Sequence, residues 1–502
     1  MRELMTDGSP DRDARGSVAV RSIGFNVLMN MVLTSSRFIF PLITVPYVSR
    51  VLSTYGTGAV AFAQSLANYF SLAAVLGMTN YGVAACAKVR DDPAELSATL
   101  RELVAILVVS TTLSLIGYVS ACLWIPRLQE NRGLNLLFGS AVLLTAMGVE
   151  WLYQALEQYA YITVRSIVFK FVGLLLMFAL VRNREDYFLY GVCVIVSGYL
   201  SNVLNMFRMR NYITTKPTRP INPRRHLKPM LWFSIASISS GMYTQVDIVL
   251  LGFMGTTGMV GVYQLVSKVR SLAITAMNSV GNVLLPRLSY YASQDRESDV
   301  TRLIGKNASF VVVASAAWIC FCCLCSRQVV GILGGADFAG AAISLIYASP
   351  SVAFSALNIA LGGYLIARGR EKEWSVINVL GLCLAALYDA MLIPLLGECG
   401  AAIGVTLTEL SVLIMRSSRC RELVNEIVRD VELHKVLLSA AVAVVAAITV
   451  GRIAVTDSDV ISLVVATSSF GLCYLTALLA VRHGFVIEMC GRVASRLHKP
   501  SR

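Results

Sequence analysis

The sequence predicts an all-α polytopic membrane protein of about fourteen transmembrane helices, arranged as two six-helix lobes related by a pseudo-two-fold axis along the membrane normal, with a further helix pair at the C-terminus. Three observations carry that prediction: the composition, the spacing of the apolar runs and the placement of the basic residues. Of 502 residues, 56% are hydrophobic and 15% charged, with a mean hydropathy of +0.67. Soluble globular chains carry about 25% charge, so a water-soluble fold is excluded.

The elements follow in chain order. Residues 1–21 are polar and read as a cytoplasmic N-terminal tail. The apolar run after them is too long for the core of a secretion signal and lacks a small-residue cleavage site, which makes it the first span. Apolar segments at 22–47, 58–84, 102–124, 133–156, 163–181 and 187–207 make the first lobe, residues 22–207. Pro41 and Pro46 remove backbone hydrogen bonds from its first span and predict a bend or hinge there. Residues 208–228 carry seven Lys/Arg, no acid, and Pro217, Pro220 and Pro223. The prolines stiffen the backbone toward extended forms, so 208–229 is read as a basic cytoplasmic linker. Segments at 230–253, 259–284, 304–325, 341–366, 374–393 and 400–415 make the second lobe, residues 230–415. A loop and two more helices, 436–451 and 460–481, occupy 416–481, and 482–502 is a basic cytoplasmic tail.

With the N-terminus inside, the cytoplasmic segments hold 32 Lys/Arg and the opposite side 7: Arg50, Arg127, Arg132, Arg182, Arg184, Arg327 and Arg452. Basic residues gather at the cytoplasmic ends of spans. The bias therefore predicts an even number of spans with both termini cytoplasmic. It also absorbs the net charge of +13: the basics set topology and meet anionic phospholipids, and nucleic acid is not expected as a partner. The lobes carry a faint echo, Gly58-Ala-Val60-Ala-Phe-Ala-Gln64 against Gly258-Met-Val260-Gly-Val-Tyr-Gln264. Both lobes start with a helix running outward, so a true repeat is parallel; chance similarity is the competing reading.

A charge inside a span is costly unless it meets a cavity or a partner. Arg37, Lys170, Lys268 and Arg270 fall within or near the edges of spans. Arg37, just before the two prolines, either lines a polar cavity or pairs structurally. Lys268 and Arg270 are two apart and point in different directions; Lys268 is the preferred inward one because it shares a face with Gln264, and Gln64 joins that lining through the echo. Asp247 is the clearest buried acid, coupling Na⁺ or H⁺ or pairing with a facing cation. Glu157, Tyr161 and Arg165 form a stripe at four-residue spacing, read as cavity lining or, equally, as a positive-inside anchor. Glu150, Asp389 and Glu409 sit near enough to span ends to snorkel. The excess of Lys and Arg over acids in the spans favours an anionic, phosphate-bearing cargo. The 12 cysteines, four crowded at Cys320, Cys322, Cys323 and Cys325, read as small apolar fillers, with no histidine nearby for a metal. The sequence has no GxxxxGK[ST] cradle and no HExxH pair, so no catalytic group, metal or cofactor is expected.

Several motifs carry a family likeness. They are Phe40-Pro-Leu-Ile-Thr-Val-Pro-Tyr-Val-Ser-Arg50-Val-Leu, then Gly56, Gly58 and Phe62, and Ser71-Leu-x-x-x-Leu-Gly77-Met-x-x-Tyr-Gly82. Further along come Gln154-x-x-Glu157-x-x-x-Tyr161-x-x-x-Arg165, Gln245-x-Asp247-x-x-x-Leu-Gly252, Gly261-x-Tyr263-x-x-x-x-Lys268 and Leu285-Pro286-Arg-Leu-Ser289. With these the chain resembles the polysaccharide (O-antigen type) flippases of the multidrug/oligosaccharidyl-lipid/polysaccharide exporter superfamily. The resemblance implies a non-enzymatic transporter of the bacterial inner membrane that moves undecaprenyl-pyrophosphate-linked oligosaccharide repeat units to the outer leaflet by alternating access. It places the pyrophosphate on Arg37, Lys268 and Arg270, with Gln64, Gln264 and Arg165 beside them. It leaves Asp247 and Glu157 for salt bridges or ion coupling, and implies a polysaccharide polymerase and a chain-length regulator as partners. Two alternatives stay open. A cation-coupled multidrug antiporter would carry more cavity carboxylates, and a membrane-embedded polymerase or ligase would need a large outer loop.

Overall fold

The computed structural model describes residues 23–213, 220–294, 296–453 and 459–497. The N-terminal tail, the proline-bearing middle of the linker and the final residues of the basic tail lie outside them. The described chain is all helix and turn. The first half comprises α1 (Ile23–Val75), α2 (Met78–Ala87), α3 (Pro93–Trp124), α4 (Pro126–Gln129), α5 (Arg132–Ala146), α6 (Glu150–Ala155), α7 (Tyr159–Leu180), α8 (Tyr187–Ile195) and α9 (Asn202–Met209). The second comprises α10 (Arg224–Tyr243), α11 (Val246–Met254), α12 (Thr257–Ser293), α13 (Glu297–Gly334), α14 (Ala341–Ala367), α15 (Glu371–Leu396) and α16 (Glu398–Arg419). Then follow α17 (Arg421–Asp430), α18 (Leu433–Ile453), α19 (Asp459–Ala480) and α20 (Gly484–Leu497).

The chain is a polytopic helical membrane protein. Eleven of its described helical runs are long and apolar enough to cross a bilayer, fewer than the fourteen expected, and the difference has physical causes. The first run, Gly24–Ala87, covers both of the first two expected spans. Helix α1 passes straight through Pro41 and Pro46 and turns instead at Ser53, whose φ of 60° and ψ of −174° lie in a region that non-glycine residues rarely occupy. The seventh and eighth expected spans, α10 to α12, are missing from the apolar set because their inner faces are polar. Helix surfaces around the outside carry exposed Val109, Leu113, Leu175, Leu395, Val445 and Leu472, as a lipid solvent requires.

Local signals set the helix ends. Asp92 caps α3, accepting from Ala94 N at 2.9 Å and Glu95 N at 3.1 Å, with Pro93 at the first helical position, where its missing N–H costs nothing. Two segments expected to be irregular are helical: an amphipathic α17 stands where the loop before the last helix pair was expected, and α20 occupies much of the expected C-terminal tail. The last pair, α18 and α19, packs on α13.

Helix α10 also begins inside the expected linker, and that linker is docked. Glu102 of α3, fully buried, accepts from Asn222 N at 2.8 Å and from Arg225 Nη2 at 2.7 Å, and lies 2.9 Å from His226 Nε2. Tyr81 Oη lies 2.6 Å from His226 Nδ1. Glu102→Ala would leave these groups without their carboxylate. Because Arg225 is 42% exposed and can be hydrated, the expected loss is about 2 kcal/mol, measurable by denaturant titration of the purified protein, with Glu102→Gln losing less.

The two halves meet along α1 and α12. A Cβ on Gly58 would lie 1.9 Å from Thr257 O, and one on Gly261 would lie 1.9 Å from Thr54 O. The two backbones therefore touch reciprocally, Thr54/Gly58 against Thr257/Gly261, a register in which Gly58 answers to Gly261 rather than to the Gly258 of the sequence echo. Three arginines at the end that the charge bias places outside bridge the same halves. Arg50 Nη2 donates to Ile332 O at 2.7 Å, Arg127 donates to Gly252 O at 2.8 Å and Gly255 O at 2.9 Å, and Arg184 pairs with Asp337 at 3.1 Å.

Candidate functional site

The seventh expected span is broken at its middle. Helix α10 ends at Tyr243 and α11 begins at Val246, with Gln245 between them at φ −138° and ψ 7°. Such a break frees backbone groups that lipid cannot satisfy, and broken helices at membrane depth line cavities or pack on protein. Here the first half supplies partners: Tyr69 Oη donates to Met242 O at 2.9 Å, and Asn68 Nδ2 donates to Gln245 Oε1 at 3.2 Å. Asp247 lies in the opening turn of α11, where the helix dipole favours a carboxylate, and accepts from Ile248 N at 2.8 Å.

Around that carboxylate lies a cavity of about 600 Å³ lined entirely by residues between Ser240 and Arg416. Asp247 Oδ2 accepts from Tyr263 Oη at 2.5 Å and lies 4.0 Å from Arg270 Nη1. The other arm of Arg270 lies 3.9 Å from Glu409 Oε1. Asn358 Nδ2 donates to Glu409 Oε2 at 2.8 Å. Arg416 donates to Asn358 O and, at 2.7 Å, to Asn378 Oδ1. Asp389 completes the group; Gly404 packs so tightly on its Oδ1 that a Cβ there would lie 2.3 Å away. The lining thus holds three carboxylates against two guanidiniums, which departs from the cationic cavity expected from the sequence.

Lys268 and Arg270 do point apart. Arg270 faces the large cavity and its carboxylates, whereas Lys268 is exposed beside a smaller pocket of about 70 Å³ that Gln64 and Gln264 also line. Lys268 makes no ion pair with the described residues, which leaves its ammonium available to a ligand. From that pocket a hydrogen-bonded chain runs to the broken helix. Gln64 Nε2 stands 3.5 Å from Tyr199 Oη, which donates to Asn68 Oδ1 at 3.0 Å, and Asn68 reaches Gln245. Tyr199 sits in a π-helical turn, Val196–Leu200, a distortion that often marks functional positions.

The remaining expected residues lie elsewhere. Arg165 is 5% exposed; it pairs with Glu150 at 2.5 Å and donates to Ser201 O and Asn202 Oδ1, both at 3.2 Å. Glu157 pairs with Arg90 at 2.7 Å. Neither lines either cavity: the four-residue stripe breaks because the chain leaves α6 at Leu156 and Glu157 adopts a φ of 55°. Arg37 lies in α1, but its side chain is outside the described residues. Lys170 reaches Ser36 Oγ at 2.7 Å. Sequence reasoning missed Asn68, Tyr199, Asn358 and Asn378, quoted Tyr263 only within a family motif, and assigned Arg416 to topology. Asn68 could have been found, since it follows Gln64 by one helical turn on the same face. Among the described residues, no group of three or more His, Cys, Asp or Glu forms a metal site.

Comparison with known proteins agrees with this architecture. The polysaccharide biosynthesis protein family matches residues 23–292. A candidate O-antigen transporter of Shigella dysenteriae is 24% identical over 397 residues, which cover 78% of this chain and 98% of that protein. One of Escherichia coli (strain K12) is 23% identical over 391 residues, 77% and 94% of the two chains. In fold, the chain is similar to the lipid II flippase MurJ in an inward closed conformation, with a TM-score of 0.67 at 13% identity, covering 91% of this chain and 99% of that one. It is also similar to an inward-facing multidrug resistance MATE family transporter of the MOP superfamily, with a TM-score of 0.55 at 12% identity, covering 78% and 99%. Both of those solved structures are of transport proteins.

Proposed function

Because this chain belongs to the polysaccharide biosynthesis protein family, we propose that it is a flippase carrying undecaprenyl-pyrophosphate-linked oligosaccharide repeat units from the inner to the outer leaflet of the bacterial inner membrane by alternating access. The observation that carries this reading is Lys268, a cation without an acidic partner among the described residues, set with Gln64 and Gln264 where α1 meets α12. A pyrophosphate needs such a cation, since desolvated phosphate oxygens require charged donors. Counting α1 as two spans, α10–α11 as one and α12 as another yields fourteen, two lobes of six and the C-terminal pair. With both termini cytoplasmic, the Arg50, Arg127 and Arg184 bridges close the outer route, and the cargo enters from inside. Asp247, held by Tyr263 and Arg270, is the group through which Na⁺ or H⁺ would drive the cycle. A polysaccharide polymerase and a chain-length regulator would act on the delivered units.

The test is translocation in proteoliposomes, scored by the access of an added glycosidase to the sugar on each leaflet, under imposed Na⁺ or H⁺ gradients. Lys268→Ala removes a charge-assisted contact of about 2–3 kcal/mol and is expected to slow translocation about 30- to 150-fold without loss of folding. The three cavity carboxylates favour a second reading, a cation-coupled small-molecule antiporter. Gradient-driven export of an organic cation, with no flipping of the lipid-linked sugar, would establish it instead.

A further inference from the structure

We propose that the cavity of about 600 Å³ in the second half receives the sugar moiety of the cargo, a neutral, hydroxyl-rich oligosaccharide, while the phosphates stay at Lys268. The inference rests on the flippase reading and divides its cargo between two places. Charge argues first. Asp247, Asp389 and Glu409 outnumber Arg270 and Arg416 in the lining, and Arg270 already lies between two carboxylates, so a pyrophosphate there would have to compete with those acids for the guanidinium.

Hydrogen-bonding capacity argues second, and more sharply. Three buried asparagines on the cavity wall, Asn307, Asn358 and Asn378, are 6%, 3% and 8% exposed. Each keeps one amide atom without a partner among the described residues: Oδ1 of Asn307, Oδ1 of Asn358 and Nδ2 of Asn378. Charged neighbours fix two of these orientations. Asn358 must turn its nitrogen to Glu409, which leaves its oxygen spare, and Asn378 must turn its oxygen to Arg416, which leaves its nitrogen spare. The residues of the wall therefore carry both an unmet acceptor and an unmet donor. A phosphate offers only acceptors and a metal ion only a positive charge, whereas a sugar hydroxyl both donates and accepts. Tyr243 and Trp374 place aromatic side chains in the same lining. The volume falls within the range of about 300–1,000 Å³ of pockets that bury small organic ligands, so a short oligosaccharide is accommodated.

The experiment compares two probes on purified protein: undecaprenyl pyrophosphate alone, and a panel of undecaprenyl-pyrophosphate-linked neutral trisaccharides. Wild type should bind at least one glycosylated lipid about tenfold more tightly than the bare lipid. Asn378→Leu and Asn307→Leu should abolish that difference while leaving the affinity for the bare lipid in place; Lys268→Ala should weaken both probes alike. Ser271→Phe keeps the test alive if an asparagine variant does not fold. Ser271 is exposed on the cavity wall and its hydroxyl donates back to Ser267 O at 2.7 Å, so its replacement fills space without orphaning a buried group, and it should act like the asparagine variants. Equal binding of bare and glycosylated lipids by wild type overturns the sugar site and leaves the flippase reading standing, as does equal weakening of both by the cavity variants. Failure of wild type to bind any of these lipids overturns the flippase reading itself.

Discussion

Arg270→Ala is expected to destabilise the protein by about 3–5 kcal/mol, the cost of removing one partner from a buried ion pair and leaving the other uncompensated. Here the effect is compounded. Arg270 lies between Asp247 and Glu409, at 4.0 Å and 3.9 Å, and its loss leaves two carboxylates, each 4% exposed, facing one cavity without a cation between them. Arg270→Lys recovers only part of the loss, because an ammonium is a point charge and cannot reach both acids with separate arms. Unfolding in a denaturant titration measures the cost. Adding Asp247→Asn and Glu409→Gln to Arg270→Ala should restore most of it; a triple variant no more stable than Arg270→Ala would show that the arginine acts through packing.

The second large effect concerns the α1–α12 crossing. Gly58→Leu or Gly261→Leu is expected to cost about 3 kcal/mol, the upper end of the usual cost of overpacking. The obstacle in each case is a main-chain carbonyl oxygen 1.9 Å from the new Cβ, which no rotamer change can avoid. Even alanine requires the helices to part. Gly24 offers a control on α1, since no described neighbour lies within 4 Å of a Cβ built there. Its alanine variant should unfold at the wild-type denaturant midpoint, whereas Gly58→Ala and Gly261→Ala should unfold well below it. Because these two sites touch the same contact, the double variant should cost less than the sum of the two.

Much of the fold was legible because lipid leaves so few options: a chain this apolar must satisfy its backbone within helices. The site was less legible, for a reason that particular residues show. Asp389 and Glu409 looked able to snorkel because the apolar runs around them end at 393 and begin at 400, but α15 runs on to Leu396 and α16 from Glu398 to Arg419. The longer helices carry both acids inward, and they carry Arg416 with them, so a residue counted toward topology is a buried donor. Lys268 and Arg270 were separable by helical angle alone. What each faces was not, since that depends on which sides of α14, α15 and α16 converge. The turn at Ser53 falls in the connection left between the first two apolar segments, 22–47 and 58–84, but its backbone geometry had no signal, because a serine there gives no hint of a positive φ.

The broken helix between α10 and α11 has a mechanical corollary. Its gap is bridged from outside its own half, by Tyr69 on Met242 O and by Asn68 on Gln245. Drawing the first half away from α10 would withdraw both bonds at once and leave Gln245 N on Met242 O at 3.1 Å to hold the gap, so separation of the halves would free the gap to reshape. Asp247 stands two residues beyond Gln245. On the proposed function, the two helix segments and the side chains that brace them would act as a lever with the carboxylate mounted at its fulcrum, so that occupancy at that carboxylate and separation of the halves would be two readings of one displacement.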